Sequence, residues 1–208
     1  MAYTGGELNE LNGKMGISDP KKSVPVMRLI RHHKPKSKDA LVQLVQYHKN
    51  NKCKCGVVST GTVREFGERL FASQKKYWGN NRYTLTECIQ WEYDLFIVQS
   101  LKGGLMEKKA LKKLKNEFLN LNFEEAEGYL DDELRIDILI LNKQNNILGG
   151  IQVKPKTFNS MRSEVLYMQK KQNKKWKYPV WFLFYNKDES FYFESKIKNE
   201  LNRLNLKL

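Results

Sequence analysis

Residues 134–156, LRIDILILNKQNNILGGIQVKPK, constrain the fold more than any other stretch of the chain. Two runs of β-branched and aliphatic residues flank the polar, turn-like NKQNN at 142–146, the pattern of a β-hairpin. Strands alternate faces with a period of two. Alternation puts Ile136, Ile138 and Ile140 on one face of the first strand, and Asp137, Leu139 and Leu141 on the other. In GIQVK, Ile151 and Val153 share one face, and Gln152 and Lys154 share the opposite one. A hairpin loop over 143–146 sets Asp137 opposite Gln152, with Lys154 one step beyond. A one-residue slip would separate them. Burying a carboxylate or an ammonium without a partner is costly. The polar trio therefore needs either a simple Asp–Lys ion pair on a half-exposed sheet face or a task.

The surrounding pattern gives the hairpin a setting. PVWFLFYN (179–186) is a short, fully apolar run of the buried-strand kind, and SFYFES (190–195) reads as another strand. NFEEAEGYL (122–130) is strand-like, LMEKKALKKLKNEF (105–118) is an amphipathic helix, NSMRSEVLYMQKKQNKKW (159–176) is a basic helix and KIKNELNRLNLKL (196–208) is a closing helix. From 105 onward the order is helix, three strands, helix, strand, which predicts an α/β (α+β) core: a mixed central sheet flanked by helices. The first hundred residues are mostly helical. Ser37 caps a helix over 39–51, a second helix runs from about Thr62 to Tyr77, and a third spans 83–101 with a capping box from Thr84 or Thr86. KGG at 102–104 is expected to break that third helix. VPVMRLI (24–30) reads as a short strand or extended segment, and RHHKPKSK (31–38) as a basic loop.

The helix over 105–118 adds a carboxylate. Its apolar stripe is Ala110, Leu111, Leu114 and Phe118, and Glu107 falls on that same stripe. Glu107 favours a helix N-terminus through the dipole, and can also point toward the sheet. Two oxygen-bearing side chains plus a backbone carbonyl suit Mg²⁺, a hard cation that takes oxygen ligands. A lysine beside such an ion can orient an attacking water and balance charge on a phosphorane, which is the chemistry of phosphodiester hydrolysis.

This order resembles the PD-(D/E)xK nuclease superfamily: a helix Glu, then Asp, then (D/E/Q)-x-K on a hairpin, followed by a helix and a strand. The matching positions are Glu107, Asp137, Gln152 and Lys154. YDLFIVQSLKGGLMEKKALKKL (93–114) looks like the entry to that core in type II restriction endonucleases of the MjaI-like family, and IQVKPKTF (151–158) is similar to its catalytic strand and exit. The resemblance spans about residues 90–186. Two departures stand out: Gln152 replaces the usual acidic residue, which predicts weaker metal binding, and Ile136 stands where a proline precedes the motif Asp. The resemblance implies Mg²⁺ as cofactor, Asp137, Gln152, Glu107 and Val153 as its ligands, and Lys154 as the residue serving the attacking water. It also implies cleavage of double-stranded DNA at a short specific sequence by a homodimer. Residues 1–90 then form a helical region for DNA recognition and dimerisation, and 91–208 the catalytic core.

The net charge of +14 agrees with a polyanionic partner; the plain alternative is an AT-rich genome whose codon bias enriches Lys along with Asn. Arg64, placed early in a helix after a Ser/Thr/Gly loop, and Lys156, Arg162, Lys170 and Lys171, on and after the active strand, are the expected DNA contacts. A solvated helix face is the plain alternative for the basic helix. A structure-selective nuclease (Holliday-junction resolvase, Mrr-like or transposon-end nuclease) and a non-enzymatic basic nucleic-acid-binding protein stay open as other readings. No run of 18 or more apolar residues predicts a transmembrane helix, and MAYTGGELNELNGK lacks a signal-peptide pattern, so a cytoplasmic protein is expected. His48, Cys53 and Cys55 are candidate zinc ligands. C-x-C is not the usual spacing and no second C-x-x-C pair exists, so Cys53, Cys55 and Cys88 are expected as free thiols.

Overall fold

The computed structural model describes residues 4–17, 19, 21–160, 163–193 and 195–206. Arg162, one of the expected DNA contacts, lies outside the described residues. The chain divides into two compact units, Met1–Gly104 and Leu105–Leu208.

The first unit is helical: α1 (Gly6–Met15), α2 (Val26–His33), α3 (Lys38–Asn50), α4 (Val63–Trp78), α5 (Leu85–Tyr93), a π-helical stretch Asp94–Gln99, and the first residues of α6 (Ser100–Glu117). Sequence capping signals set several starts. The Ser37 hydroxyl accepts the Ala40 N–H at 3.1 Å. Thr62 and Glu65 cap α4 reciprocally, at 3.2 and 2.7 Å. Thr84, rather than Thr86, does the same for α5 with Glu87. Each such cap satisfies backbone N–H groups that a helix start would leave open. Leu29, Leu41, Val45, Phe66, Leu70 and Ile97 are fully buried together.

Three expectations for this unit need correcting. RHHKPKSK is a loop only from Lys34 to Ser37, since Arg31, His32 and His33 end α2 and Lys38 starts α3. VPVMRLI is helical from Val26, not extended. Pro25 stands just before the helix, where a missing N–H costs nothing, and Val26, Leu29 and Ile30 bury one helical face. KGG does not break the helix either, since α6 runs through Gly103 and Gly104 to Glu117. A side chain at Gly104 would meet Ile30 Cγ2 at 3.1 Å, so the glycine permits close packing against α2.

Gly67 is tighter still. A Cβ there would lie 2.5 Å from Ile89 Cα and 2.8 Å from its backbone nitrogen, where α4 crosses α5. Backbone cannot step aside as a side-chain tip can. Gly67→Ala is therefore expected to lower the unfolding free energy by about 2–3 kcal/mol, read from urea denaturation. An unchanged midpoint would mean that the two helices are not packed this closely.

The second unit holds the sheet, with the short helix α7 (Tyr129–Asp132) between its first two strands. Strands β1 (Asn122–Glu125), β2 (Ile138–Leu141), β3 (Ile147–Pro155), β4 (Val180–Tyr185) and β5 (Phe191–Phe193) lie side by side in chain order. All pairings are antiparallel except β3 with β4, which is parallel. A parallel neighbour needs a crossover, and α8 (Ser163–Asn173) supplies it. The result is the expected mixed sheet with helical flanks. One face packs Met106, Ala110 and Leu114 of α6, and Ile197 and Leu201 of α9 (Ser195–Leu206), against Ile138, Ile140, Ile151, Val153 and Leu183. On the other face Phe182 stacks between Phe158 and Phe184, at 5.7 and 5.9 Å between centroids. Among the described residues, no helix is long and apolar enough to cross a membrane.

Candidate active site

The hairpin adopts the register expected near the site. Ile138 pairs with Ile151, Leu139 with Gly150 and Ile140 with Gly149. A bulge at Ile140/Leu141 then shifts the pairing so that Leu141 faces Ile147 across the turn. The expected sharing of a face fails at one position. Ile136 does not join Ile138 and Ile140; it packs with Leu134, Ala126 and the partly buried Leu139 and Trp176. The cause lies just upstream. Arg135 has φ 61°, and β2 begins only at Ile138, so strand alternation does not reach back to Ile136.

Asp137 stands at that point of departure. Its own N–H still reaches the Ile151 carbonyl at 3.0 Å, and its carbonyl accepts the Ala126 N–H at 3.0 Å. Its side chain then takes over from the ladder: Oδ2 accepts the Val153 N–H at 2.7 Å. In a strand, one residue's N–H and C=O point to the same side. The Val153 carbonyl therefore also points toward the Asp137 side, beyond the last paired residue of β2.

Lys154 Nζ lies 3.3 Å from the same Oδ2, with side-chain exposures of 22% for Lys154 and 6% for Asp137. Breaking a pair this shielded from water leaves a costly lone charge. Oδ1 of Asp137 accepts no hydrogen bond among the described residues, so one carboxylate oxygen stays open to a ligand.

Glu107 comes from α6, one residue after the buried Met106 and three before the buried Ala110. It is half-buried. Its charge and that of Asp137 are felt by one group, Tyr185 at the end of β4. Burial first, then Glu107, Asp137 and Glu189, push the Tyr185 hydroxyl above its ordinary pKa. Both carboxylates are thus within electrostatic reach of Tyr185. Tyr185 was not among the sequence candidates; its strand read only as apolar.

Gln152 is placed differently. It is fully buried, and its amide faces α8. The Asn173 amide lies 2.7 Å from Gln152 Nε2, and Gln169 Nε2 lies 2.7 Å from Gln152 Oε1. Turning the Asn173 amide gives its nitrogen the Leu134 carbonyl at 3.1 Å and the Gln169 carbonyl at 3.3 Å. As placed, α8 engages both ends of the Gln152 amide; turning Asn173 alone would set its nitrogen against Gln152 Nε2, donor against donor. The sequence offered no sign of these partners, because an amide at helical spacing is an unremarkable surface residue.

A family model described as MjaI restriction endonuclease matches residues 7–201. The chain belongs to that family. No curated protein and no solved structure matches it. The match spans nearly all of both compact units of this MjaI-family chain.

Of the expected DNA contacts in this family member, Lys170 and Lys171 are exposed on α8. Lys156 is exposed and its ammonium stands 5.8 Å from the Tyr192 ring centroid. Arg64, in the first turn of α4, pairs with Glu68 at 3.0 Å on an open surface. Such an exposed pair is weak and can be exchanged for a phosphate.

Proposed function

We propose that this member of the MjaI family is a type II restriction endonuclease, hydrolysing phosphodiester bonds of double-stranded DNA at a short specific sequence with Mg²⁺. The observation that carries this reading is the grouping of Asp137, Lys154 and the turned-out Val153 main chain at the end of the hairpin, with Glu107 approaching from α6. Family membership supports it independently. The donors suit a hard cation: Asp137 Oδ1, the Glu107 carboxylate and the Val153 carbonyl are all oxygens. The Gln152 oxygen, fully buried and already accepting from Gln169 Nε2, has one lone pair left to join them. When bound, Mg²⁺ would polarise the phosphoryl oxygen and neutralise developing charge.

The chain's own residues do the rest. Asp137, held by the Val153 N–H, fixes where the negative charge sits. Lys154 stands beside it, able to orient the attacking water and to offset charge on the phosphate. Lys156, Lys170 and Lys171 supply phosphate contacts in the second unit, and Arg64 in the helical region 1–90, to which we assign DNA recognition and dimerisation. A two-fold homodimer matches a palindromic site and cuts both strands.

Digestion of phage DNA with purified protein and Mg²⁺ tests the reading directly. Discrete fragments are the expected result. A preference for branched junctions over linear duplex would point to a structure-selective nuclease. Salt-sensitive binding without metal-dependent cutting would reduce the site to a structural ion pair.

A further inference from the structure

Four side chains of the first unit take no part in this chemistry, yet they meet at one point. His33 ends α2, His48 lies in the last turns of α3, and Cys53 and Cys55 follow in the loop. One ligand atom from each lies within 4.8 Å of the other three. We propose that His33, His48, Cys53 and Cys55 bind a structural Zn²⁺ ion that clasps the loop after α3 to the ends of α2 and α3.

The geometry is close to that of a loaded site. Tetrahedral zinc with His and Cys ligands needs separations of roughly 3.3–3.8 Å between ligand atoms. His48 Nε2 is 3.2 Å from Cys55 Sγ, and Cys53 Sγ is 3.9 Å from His33 Nε2. The two imidazole centroids are 5.0 Å apart with planes inclined at 65°. His48 is almost completely buried, and its Nδ1 lies 2.7 Å from the Leu44 carbonyl. A carbonyl only accepts, so Nδ1 carries the proton and Nε2 turns its lone pair toward Cys55. This is the arrangement by which an outer hydrogen bond orients a metal-ligating histidine.

The loop is shaped to suit. The Gly56 N–H donates to the Cys53 carbonyl at 3.0 Å, and Gly56 has φ 69°, a conformation that suits glycine. This tight turn brings two cysteines in C-x-C spacing toward one side. The chain then returns past α3, where the Ser59 N–H reaches the His48 carbonyl at 3.0 Å. Two sulfurs and two imidazoles select zinc over the hard cation proposed for the hairpin. Four protein ligands leave no open position, which marks the site as structural rather than catalytic. Cys53 and Cys55 are in no disulfide, as expected, and with His48 the loop side of the site supplies three ligands. His33, from a separate helix, is the fourth.

The test is the zinc content of the full chain, purified without immobilised-metal resin and dialysed against metal-free buffer. One zinc per chain is expected, falling to background in Cys55→Ser and in His33→Ala. Cys88→Ala, a thiol outside the cluster, and Asp137→Asn should keep theirs. X-ray absorption at the zinc edge of the wild-type protein should show two sulfur and two nitrogen neighbours, and cobalt replacement should give a thiolate charge-transfer band. This wild-type spectroscopy decides the matter even if a variant fails to fold. A zinc-free wild type that gives no thiolate band on cobalt titration overturns the proposal. So does a zinc shell without sulfur, or zinc that survives both Cys55→Ser and His33→Ala.

Discussion

Asp137→Asn should reduce Mg²⁺-dependent cleavage of plasmid DNA by about 10³-fold, while DNA binding is kept or slightly strengthened. Asparagine preserves the shape of the side chain and an oxygen for the Val153 N–H, which Asp137 Oδ2 accepts at 2.7 Å. It removes the charge that would hold a divalent cation. Asp137→Ala should lose activity as fully, but it also strips the Val153 N–H of its partner, at a cost of about 1–3 kcal/mol in stability. Lys154→Ala removes the ammonium 3.3 Å from Oδ2 and should lose cleavage to a similar degree. Cleavage is read from supercoiled-to-linear conversion, binding from gel shifts and folding from circular dichroism. Undiminished cutting by both Asp137→Asn and Lys154→Ala would remove the site from this end of the sheet.

The hairpin was legible because its determinants are local. Turn composition and the alternation of Ile138, Ile140, Ile151 and Val153 set the pairing, and Ile138 does face Ile151. Alternation could not reveal that β2 begins only at Ile138, nor that Arg135 upstream of it takes a left-handed conformation with no glycine to signal it. The same limit explains α6. KGG is a breaker by propensity, but Gly104 sits where Ile30 approaches, so packing outweighs local preference. Long-range partners were the least legible. Nothing in the spacing of Gln169, Asn173 and Gln152 joins them, and only the parallel crossover through α8 brings them together. His33 and Cys55 met only once VPVMRLI proved to be a helix ending at His33.

Glu92→Gln should stabilise the protein above neutral pH and flatten its pH dependence. Glu92 is completely buried on α5, where burial lifts its carboxyl from 4.5 to about 8 against the opposing bond from Asn12 Nδ2 at 2.8 Å. Its second oxygen has no partner among the described residues. The folded chain therefore holds this carboxyl protonated at neutral pH, while the unfolded chain ionises it. Below pH 4.5 both states are protonated and the group costs nothing. As pH rises from 4.5 toward 8 the unfolded state gains by releasing its proton, and stability falls until the folded state also ionises. At about 1.4 kcal/mol per pH unit the loss approaches roughly 4–5 kcal/mol, an upper figure for a group that local relaxation can partly hydrate. Glutamine keeps an oxygen for Asn12 and carries no proton to lose. Urea midpoints at about pH 5 and about pH 8.5 should fall for the wild type and stay level for the variant, apart from changes common to both. Curves that run parallel across that interval would show that Glu92 is already ionised and solvated inside the helical unit.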